Sequence, residues 1–311
     1  MRHYFAPTTQ RPSLIPFVRD FPDTPMIHTV GLVLHPQRDS RAAMSTISAW
    51  VRGRQATLLG LPEEVARTEG ASAVPAEKLA EESDLVVSLG GDGTMLRSMR
   101  LACGGRAPVL GVNLGRLGFL AEIDVPQLPE ALSAIDDKRF TVEARSAVRS
   151  RFHDHEVLAF NEVALVRRPG GPMAAIELFV EGHPFIHYVA DALIVATPTG
   201  STAYSFSAGG PIVSPRAQGL VVTPVAPHSA YNRALVLSES EKVALRVLPA
   251  SGDLEVESDG SVVGRLSAGD TVEVSAVPGA ASVVRLGHTT FYQRAQRKLR
   301  LTGSTEVDRA W

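Results

Sequence analysis

The stretch Leu-Gly-Gly-Asp-Gly-Thr-Met-Leu-Arg, from Leu89 to Arg97, surrounds a single aspartate with glycines directly after an apolar run. Glycine lets a backbone approach a phosphate closely, and a helix N-terminus offers that phosphate unpaired N–H groups. The carboxylate of Asp92 would repel a phosphate, but beside a phosphate cradle it can orient an attacking hydroxyl or take its proton. The stretch therefore predicts phosphoryl transfer. The alternative is an ordinary strand-to-helix turn in which Asp92 caps the helix.

A second segment, from Thr197 to Pro211, concentrates hydroxyls, small residues and one tyrosine, Tyr204. It follows an apolar strand, Leu193 to Ala196. Hydroxyls and amides in a glycine-bearing turn can bind ribose or phosphate oxygens, and the tyrosine ring can stack on a base. The alternative is a tight hairpin packed with small residues.

The elements that must position the first segment form a βαβ pattern. Apolar runs predict buried strands, and apolar residues at a spacing of three to four predict helices. Strands joined through helices form a parallel sheet, whose strand ends carry ligands. The predicted order is strand Thr29 to Leu34, helix Ser40 to Arg54, strand Leu85 to Leu89, a helix that ends at Gly104-Gly105, and strand Pro108 to Val112.

Beyond Asp124 the chain changes character. A short helix to about Lys138 is followed by alternating patterns that predict an all-β second domain. The segment from Thr289 to Leu301 is helical and basic, and we expect it to pack back on the first domain. The predicted strands are Ala174 to Glu181, Lys242 to Leu248, Leu254 to Glu257, Thr271 to Val277 and Ser282 to Leu286. The predicted division is 1–26 as a loosely ordered extension, 27–138 α/β, 139–288 all-β, and 289–311 as a C-terminal helix and tail.

The amino-acid composition of the chain argues against several kinds of protein. The 311 residues are 44% hydrophobic with a formal charge of -2, which gives no reason to expect nucleic acid as a partner. The single cysteine, Cys103, excludes an internal disulfide and a thiolate metal cluster. No apolar run approaches the ~20 residues that span a membrane, and no secretory signal is present, so we expect a cytoplasmic protein. His153, Asp154 and His155 lie on a predicted hairpin tip, where neighbours rarely converge on one ion, so no dedicated metal site is expected.

Taken together, the motifs resemble those of NAD kinases. The match covers roughly Val30 to Leu301, and five segments occur in order, which makes it specific. Gly-Gly-Asp-Gly by itself also suits diacylglycerol-type lipid kinases and phosphofructokinases. The segments are Gly90 to Thr94, Gly111 to Leu120, Asn161-Glu162, Asp191 with Thr197 to Pro211, and Ala226 to Ser229.

The resemblance implies an activity and a fold. NAD kinases transfer the γ-phosphoryl of ATP, or of polyphosphate in some members, to the adenosine 2′-hydroxyl of NAD, giving NADP. Mg²⁺ or another divalent cation accompanies ATP. An open α/β domain and an all-β sandwich flank the site. Members are homodimers or homotetramers in which a neighbouring subunit lends some NAD contacts.

The resemblance also assigns site residues. Asp92 is implied as the proton acceptor. Asn161 and Glu162 are implied to hold the adenosine of NAD, and because neighbours on a strand point to opposite faces we expect irregular backbone there. Asp191 is implied to recognise the nicotinamide carboxamide, and Phe119 to cover the adenine. The implied phosphate contacts are Gly90, Gly91, Gly93, Thr94 and Arg97; the remaining NAD contacts are Asp92, Gly93, Thr199, Thr202, Ala203, Tyr204, Ser205, Phe206 and Ser207.

The chain departs from the family pattern at three positions. Val189 stands where many members have a basic residue, Ala192 replaces a usual glycine, and Ser261 stands where glutamine is common. These departures bear on affinity and on discrimination between NAD, NADH and ATP. For His228 we favour a packed core histidine over a functional group.

Two rival functions follow from the same residues. A diacylglycerol-type lipid kinase shares the first motif and the two-domain plan, but Asn161-Glu162 and the segment from Thr197 to Pro211 argue against it. A dinucleotide-binding sensor without catalysis is opposed by the presence of Asp92.

Overall fold

The computed structural model describes residues 18–19, 27–66, 68–115, 118–228 and 231–301. Most of the predicted extension 1–26 and the whole tail beyond 301 lie outside these ranges. Within the extension, strand β1 (Val18–Arg19) pairs antiparallel with residues 142–143.

The N-terminal part is an open parallel sheet with helices between its strands. The strand order is β6-β5-β2-β3-β4, and every pair in this set is parallel, as the βαβ pattern predicts. The strands are β2 (Thr29–Leu34), β3 (Thr57–Gly60), β4 (Ala71–Ala73), β5 (Leu85–Gly90), β6 (Val109–Asn113) and the short β7 (Ile123–Asp124), and the helices are α1 (Arg41–Gly53), α2 (Pro62–Val65), α3 (Ala76–Glu82), α4 (Asp92–Leu101) and α5 (Leu128–Asp136).

The central strand β5 is buried on both faces. All six of its residues are buried, because α1 and α5 cover one face of the sheet and α3 and α4 cover the other. A strand covered on both faces carries a continuous apolar run, which explains why this segment was recognisable in the sequence. The carboxyl end of β5, where the glycine turn begins, is therefore held firmly.

The second part is a sandwich of two mainly antiparallel layers, as predicted. One layer has the order β15-β14-β13-β10-β17-β18, and the other contains β12, β11, β16, β19, β8 and β9. Their inner faces share one core, which includes Val148, Leu165, Ile176 and Val195. The bounds are β8 (Thr141–Phe152), β9 (His155–Ala159), β10 (Glu162–Arg167), β11 (Ala174–Val180), β12 (His183–Ala190), β13 (Ala192–Ala196), β14 (Leu220–Val225), β15 (Leu235–Leu237), β16 (Val243–Val247), β17 (Leu254–Ser258), β18 (Ser261–Leu266) and β19 (Thr271–Arg285).

The strand β19 corrects one prediction. Thr271 to Val277 and Ser282 to Leu286 were expected as separate strands, but a single strand runs from Thr271 to Arg285. Pro278-Gly279 forms a bulge against β8, where the register shifts and Gly279 has φ +61°, instead of a chain reversal. β19 pairs with β16 near its start and, at Val283, with β6 in parallel. The two parts consequently share one continuous 13-stranded sheet.

The last described element is α7 (Phe291–Leu299), which begins at a capping box formed by Thr290 and Gln293. Arg294 of this helix reaches the 121–122 segment of the first part, so the helix returns there as expected. Within the described ranges, none of the helices is long and apolar enough to cross a membrane.

Candidate active site

Asp92 lies at the first residue of α4, where β5 has just ended. Gly91 is the N-cap residue and no side chain caps the helix, so Asp92 is not the cap that the alternative interpretation requires. Its carboxylate turns toward another segment. Oδ2 accepts a hydrogen bond from the backbone N–H of Phe119 and Oδ1 one from Leu120, both at 3.1 Å. Two amides therefore fix the direction of the carboxylate.

This contact explains why residue 118 is a glycine. A Cβ on Gly118 would lie 2.0 Å from Oδ1 of Asp92. Any larger residue would push the carboxylate away from the two amides. The motif Gly111 to Leu120 thus forms the seat of the aspartate, which is a physical reason for the two motifs to occur together.

The glycine turn opens into a cleft of about 280 Å³. Gly93 is exposed, and nothing lies within 4 Å of where its Cβ would be. Thr94 is buried against the end of β5, so its side chain supports the turn. The described lining consists of Leu34, His35, Pro36, Arg38, Gly91, Asp92, Gly93, Thr94 and Arg97.

Arg97 faces this cleft but is already ion-paired. Its guanidinium donates to Glu64 at 2.7 Å and to Glu63 at 2.9 Å, both on α2. Glu64 is buried and also accepts from the backbone N–H of Leu34 and Leu61. The positive charge of Arg97 is therefore balanced within the protein.

The hydroxyl-rich segment is joined to the Asn161 segment. The backbone N–H of Thr197 donates to the carbonyl of Asn161 at 2.8 Å, and the Thr197 hydroxyl donates to the carbonyl of Phe160 at 2.6 Å. A Cβ on Gly200 would lie 2.0 Å from the Asn161 carbonyl oxygen, so this close approach requires glycine. Residues 160–161 form a bend between β9 and β10, which is the irregular backbone expected at Asn161.

The segment itself is a pair of short helices. A 3₁₀ turn covers Thr199–Thr202, and α6 (Tyr204–Ser207) follows it, so the tight-hairpin alternative is wrong. The Ser205 side chain is buried and hydrogen-bonded to Thr223 at 2.9 Å, so it does not face the cleft. Ala203, Tyr204 and Phe206 are partly exposed, and Ser207 is exposed.

Phe119 contacts the glycine turn and shares a cavity with the hydroxyl-rich segment. The carboxylate of Asp92 lines the cleft of about 280 Å³, and Thr199 and Thr202 line a second cavity of about 320 Å³. Phe119 connects the two, because its N–H holds Asp92 and its side chain lines the cavity.

Glu162 carries the most perturbed carboxyl group in this region. Burial, followed by the nearby charge of Asp259, raises the pKa of Glu162 to about 7, while a backbone hydrogen bond from Tyr204 partly offsets the rise. Its Oε2 atom is buried and has no partner among the described residues. A carboxyl group in this state can accept a hydrogen bond from a bound hydroxyl.

Asp259 is a site residue that the sequence interpretation missed. It accepts hydrogen bonds from the backbone N–H of Phe160, Asn161 and Glu162 at 2.7–3.3 Å, and so fixes the Asn-Glu backbone. Its carboxylate also lies 3.8 Å from Arg100 of α4, which links the two halves of the site. The Asp-Gly turn was the available signal, since such turns place an acceptor beside a tight reversal.

Asp191 is not brought to this cluster within one chain. It pairs with Arg167, at the end of the β10–β13 pair opposite Glu162. Five residues of extended strand separate the two positions, about 16 Å. Burial, followed by the charges of Glu257, Asp191 and Glu162, raises the pKa of Tyr204.

The remaining positions singled out in the sequence have plain structural descriptions. His228 is exposed, so the expected core histidine is wrong. Val189 is exposed on β12, Ala192 is buried at the start of β13, and Ser261 is exposed at the start of β18.

The C-terminal helix supplies contacts that the sequence did not identify. Lys298 places its ammonium 3.2 Å from Oδ2 of Asp92. The helix is anchored by buried Glu122, whose carboxylate accepts from Arg294 at 2.6 Å and from Arg285 at 2.8 Å. Both contacts join residues more than 160 positions apart, which no local pattern reveals.

Comparison with known proteins identifies related sequences over most of the chain. Residues 32–140 match the family of ATP-NAD kinase N-terminal domains, and residues 160–286 match the family of ATP-NAD kinase C-terminal domains. NAD kinase 1 of Streptomyces avermitilis is 38% identical, and the similarity covers 88% of this chain and 87% of the relative. An NAD kinase of Moorella thermoacetica is 34% identical over 92% and 89% of the two chains.

Solved structures share the fold. Yeast NADH kinase, crystallised with NADH, superimposes with a TM-score of 0.80 at 24% identity, covering 89% of each chain. An NAD kinase from Archaeoglobus fulgidus, crystallised with ATP, gives a TM-score of 0.69 at 26% identity, covering 88% of this chain and all of that one.

Proposed function

The chain belongs to the NAD kinase family and catalyses the ATP-dependent phosphorylation of NAD, and from this premise we propose that Asp92 accepts the proton of the attacking hydroxyl. The acceptor hydroxyl is the 2′-hydroxyl of the adenosine ribose, and NADP is the product. This assignment excludes the diacylglycerol-type alternative.

One observation carries the proposal for Asp92. Its carboxylate is held by the N–H groups of Phe119 and Leu120, and Phe119 lines the same cavity as Thr199 and Thr202. A ribose gripped by those hydroxyls therefore lies beside the carboxylate. Holding a poor nucleophile next to its base supplies both proximity and proton transfer, and general-base catalysis typically contributes 10²–10⁴-fold.

The donor phosphates fit the cleft on the other side of Asp92. Backbone amides of Gly91 and Gly93 at the N-terminus of α4 suit anionic oxygens. Arg97 lines this cleft, and its charge is shared with Glu63 and Glu64. ATP is the proposed donor, with polyphosphate as an alternative that the donor assay below tests.

A divalent cation fits this site only as a companion of ATP. The described residues contain no cluster of three or more side chains that could hold a metal ion by themselves. The glycine turn offers one carboxylate ligand, that of Asp92. Mg²⁺ commonly binds through substrate phosphates and one or two carboxylates. Such an ion would neutralise charge on the phosphates, and Asp92 is the residue that would share it.

We assign the adenosine of NAD to the Asn161 segment and the hydroxyl-rich segment, which are hydrogen-bonded to each other. The backbone of Asn161 and Glu162 is fixed by Asp259, and Thr199 and Thr202 of the hydroxyl-rich segment line the cavity with Phe119. The rings of Phe119 and Tyr204 are available for the base. Asp191 lies at the opposite strand end, so we propose that it serves the site of a neighbouring subunit in a homodimer or homotetramer. We also propose the cytoplasm as the location of the enzyme, as the sequence analysis expects.

Replacement of Asp92 tests the central role. Asp92→Asn keeps the size of the side chain and removes the proton acceptor. We expect kcat to fall about 10²-fold or more, while calorimetry shows that NAD still binds. Near-normal turnover of this variant would refute the role of Asp92.

The phosphoryl donor and acceptor are identified by one assay. Purified protein is given ATP or polyphosphate with NAD or NADH in all four pairings with Mg²⁺, and NADP or NADPH formation is measured. Turnover with ATP and NAD is expected. Dinucleotide binding without turnover in any pairing would support the sensor alternative.

A further inference from the structure

The side chain of Lys298 lies beside Asp92 and Phe119. Its ammonium is 3.2 Å from Oδ2 of Asp92 and 5.1 Å from the centre of the Phe119 ring. Its side chain is 35% exposed and that of Asp92 is 30% exposed, so both groups are accessible to a ligand.

The helix that carries Lys298 is docked rigidly. Arg294, one helical turn earlier, is buried and hydrogen-bonded to the carboxylate of Glu122 and to the carbonyls of Ala121 and Thr289. Residues four apart lie on the same face of a helix, so the anchor that holds Arg294 also directs Lys298 to Asp92. The buried contacts of Arg294 therefore set where the exposed side chain of Lys298 begins.

The distances place Lys298 near the new bond. If the 2′-hydroxyl lies within hydrogen-bond reach of the same oxygen, Oδ2 of Asp92, about 2.6–3.2 Å, the ammonium lies no more than about 6.4 Å from the 2′-oxygen. The oxygens of a phosphoryl group joined to that atom then come within direct reach of a flexible lysine.

We propose that Lys298 is a catalytic cation that binds the phosphoryl group transferred to the 2′-oxygen; this inference rests on the proposed role of Asp92. Before transfer, Lys298 pairs with the ionised carboxylate. During transfer the 2′-oxygen bonds to the γ-phosphorus, the bond from that phosphorus to the β-phosphate oxygen breaks, and ADP leaves with the electron pair. The hydroxyl proton moves to Asp92. Lys298 stays protonated and exchanges its neutralised partner for the new phosphate.

The charges around Lys298 distinguish it from Arg97. Arg97 contacts two carboxylates, Glu63 and Glu64, which take no part in the proposed proton transfer. Lys298 contacts Asp92, the carboxylate that the reaction neutralises. Once Asp92 is neutralised, Lys298 attracts the phosphoryl group more strongly than before transfer. Lys298 therefore stabilises the transition state more than the bound substrates, which is what catalysis requires.

Lys298→Met tests this proposal in the full-length protein. We expect kcat to fall about 30- to 100-fold with the KM for NAD changed less than about threefold, because the contact forms only with the transferred group. By calorimetry, the Kd for NADP should rise about tenfold while the Kd for NAD stays the same, since only NADP carries the 2′-phosphate. Lys298→Arg should restore most of the turnover and the NADP affinity.

Arg300→Met is the matched control. Arg300 is exposed just beyond the same helix, so this variant removes the same charge without touching Asp92, and its kinetics should match the parent protein. Unchanged kcat in Lys298→Met, increased kcat, or equal loss of NAD and NADP affinity would each overturn the proposal. The NADP-against-NAD comparison needs no turnover, so it is read independently of the outcome for Asp92→Asn.

Discussion

Gly118→Ala is the smallest change that should disable Asp92, the proposed proton acceptor. The added methyl carbon would lie 2.0 Å from Oδ1, 2.7 Å from Cγ and 2.9 Å from Oδ2 of Asp92. Ordinary contact requires more than 3 Å, so either the carboxylate or the loop that carries Phe119 must move by about 1 Å. A misplacement of about 1 Å at a reacting group can cost 10²-fold in rate, which corresponds to about 2.7 kcal/mol of activation free energy.

Two measurements test this: the steady-state rate of NADP formation and the thermal unfolding of the same variant. We expect kcat to fall about 10²-fold, with a loss of stability of at most a few kcal/mol from the weakened amide contacts. Gly53→Ala adds the same methyl group at the end of α1, where nothing lies within 4 Å, and should leave kcat unchanged. A kcat within about threefold of the parent protein for Gly118→Ala would refute the tight seat described for Asp92.

Two further predictions concern Glu162 and the docking of α7. Burial and the charge of Asp259 raise the pKa of Glu162 to about 7, so the group is protonated below this pH. We therefore expect the KM for NAD to be several-fold higher at pH 6 than at pH 8. Glu162→Gln should flatten this pH dependence. Because the folded-state pKa exceeds the ordinary value of 4.5, stability is lost as the pH rises from about 4.5 through about 7, by about 3 kcal/mol or less in total. Glu162→Gln should therefore raise Tm at pH 8 and not at pH 4.5. Equal shifts of Tm at the two pH values would contradict this. Arg294→Met removes one partner of buried Glu122 and should lower the free energy of unfolding by about 3 kcal/mol, which corresponds to a fall in Tm of about 6–12 °C. Arg297→Met, on the exposed side of the helix, is the control and should change Tm little. A fall in Tm of less than about 2 °C for Arg294→Met would contradict the anchoring role.

The parts of the site that could be predicted from sequence are those encoded locally. The apolar run of β5, the glycines after it and the helical spacing of α4 lie within about twenty residues, so their patterns indicate both the turn and Asp92. The bend at Asn161 was predictable only with the family resemblance, which implies that Asn161 and Glu162 bind one ligand, since adjacent strand residues point to opposite faces.

The rest depends on contacts between distant residues. Lys298 and Asp92 are 206 positions apart, and Asp259 supports Asn161 from 98 positions away. Hydrophobic periodicity carries no information about such pairs. The continuous β19 was missed for another reason: Pro278-Gly279 has the composition of a turn, yet here it forms a bulge because β8 pairs on both sides of it.

The chain division also looks different in three dimensions. A boundary near residue 139 separates α/β from all-β patterns, but β19 pairs with β16 of the sandwich and with β6 of the parallel sheet. One strand thus holds both walls of the cleft. This continuity fixes the spacing between the two parts of the chain, as the proposed transfer from a donor on one part to a ribose on the other requires.

A crystal structure of this protein with NAD bound tests the central claim most directly. We predict that one carboxylate oxygen of Asp92 lies about 2.6–3.2 Å from the adenosine 2′-oxygen, with the hydrogen bonds from Phe119 and Leu120 retained. A bound NAD whose 2′-oxygen points away from Asp92, with another carboxylate such as Glu162 within reach instead, would contradict the account.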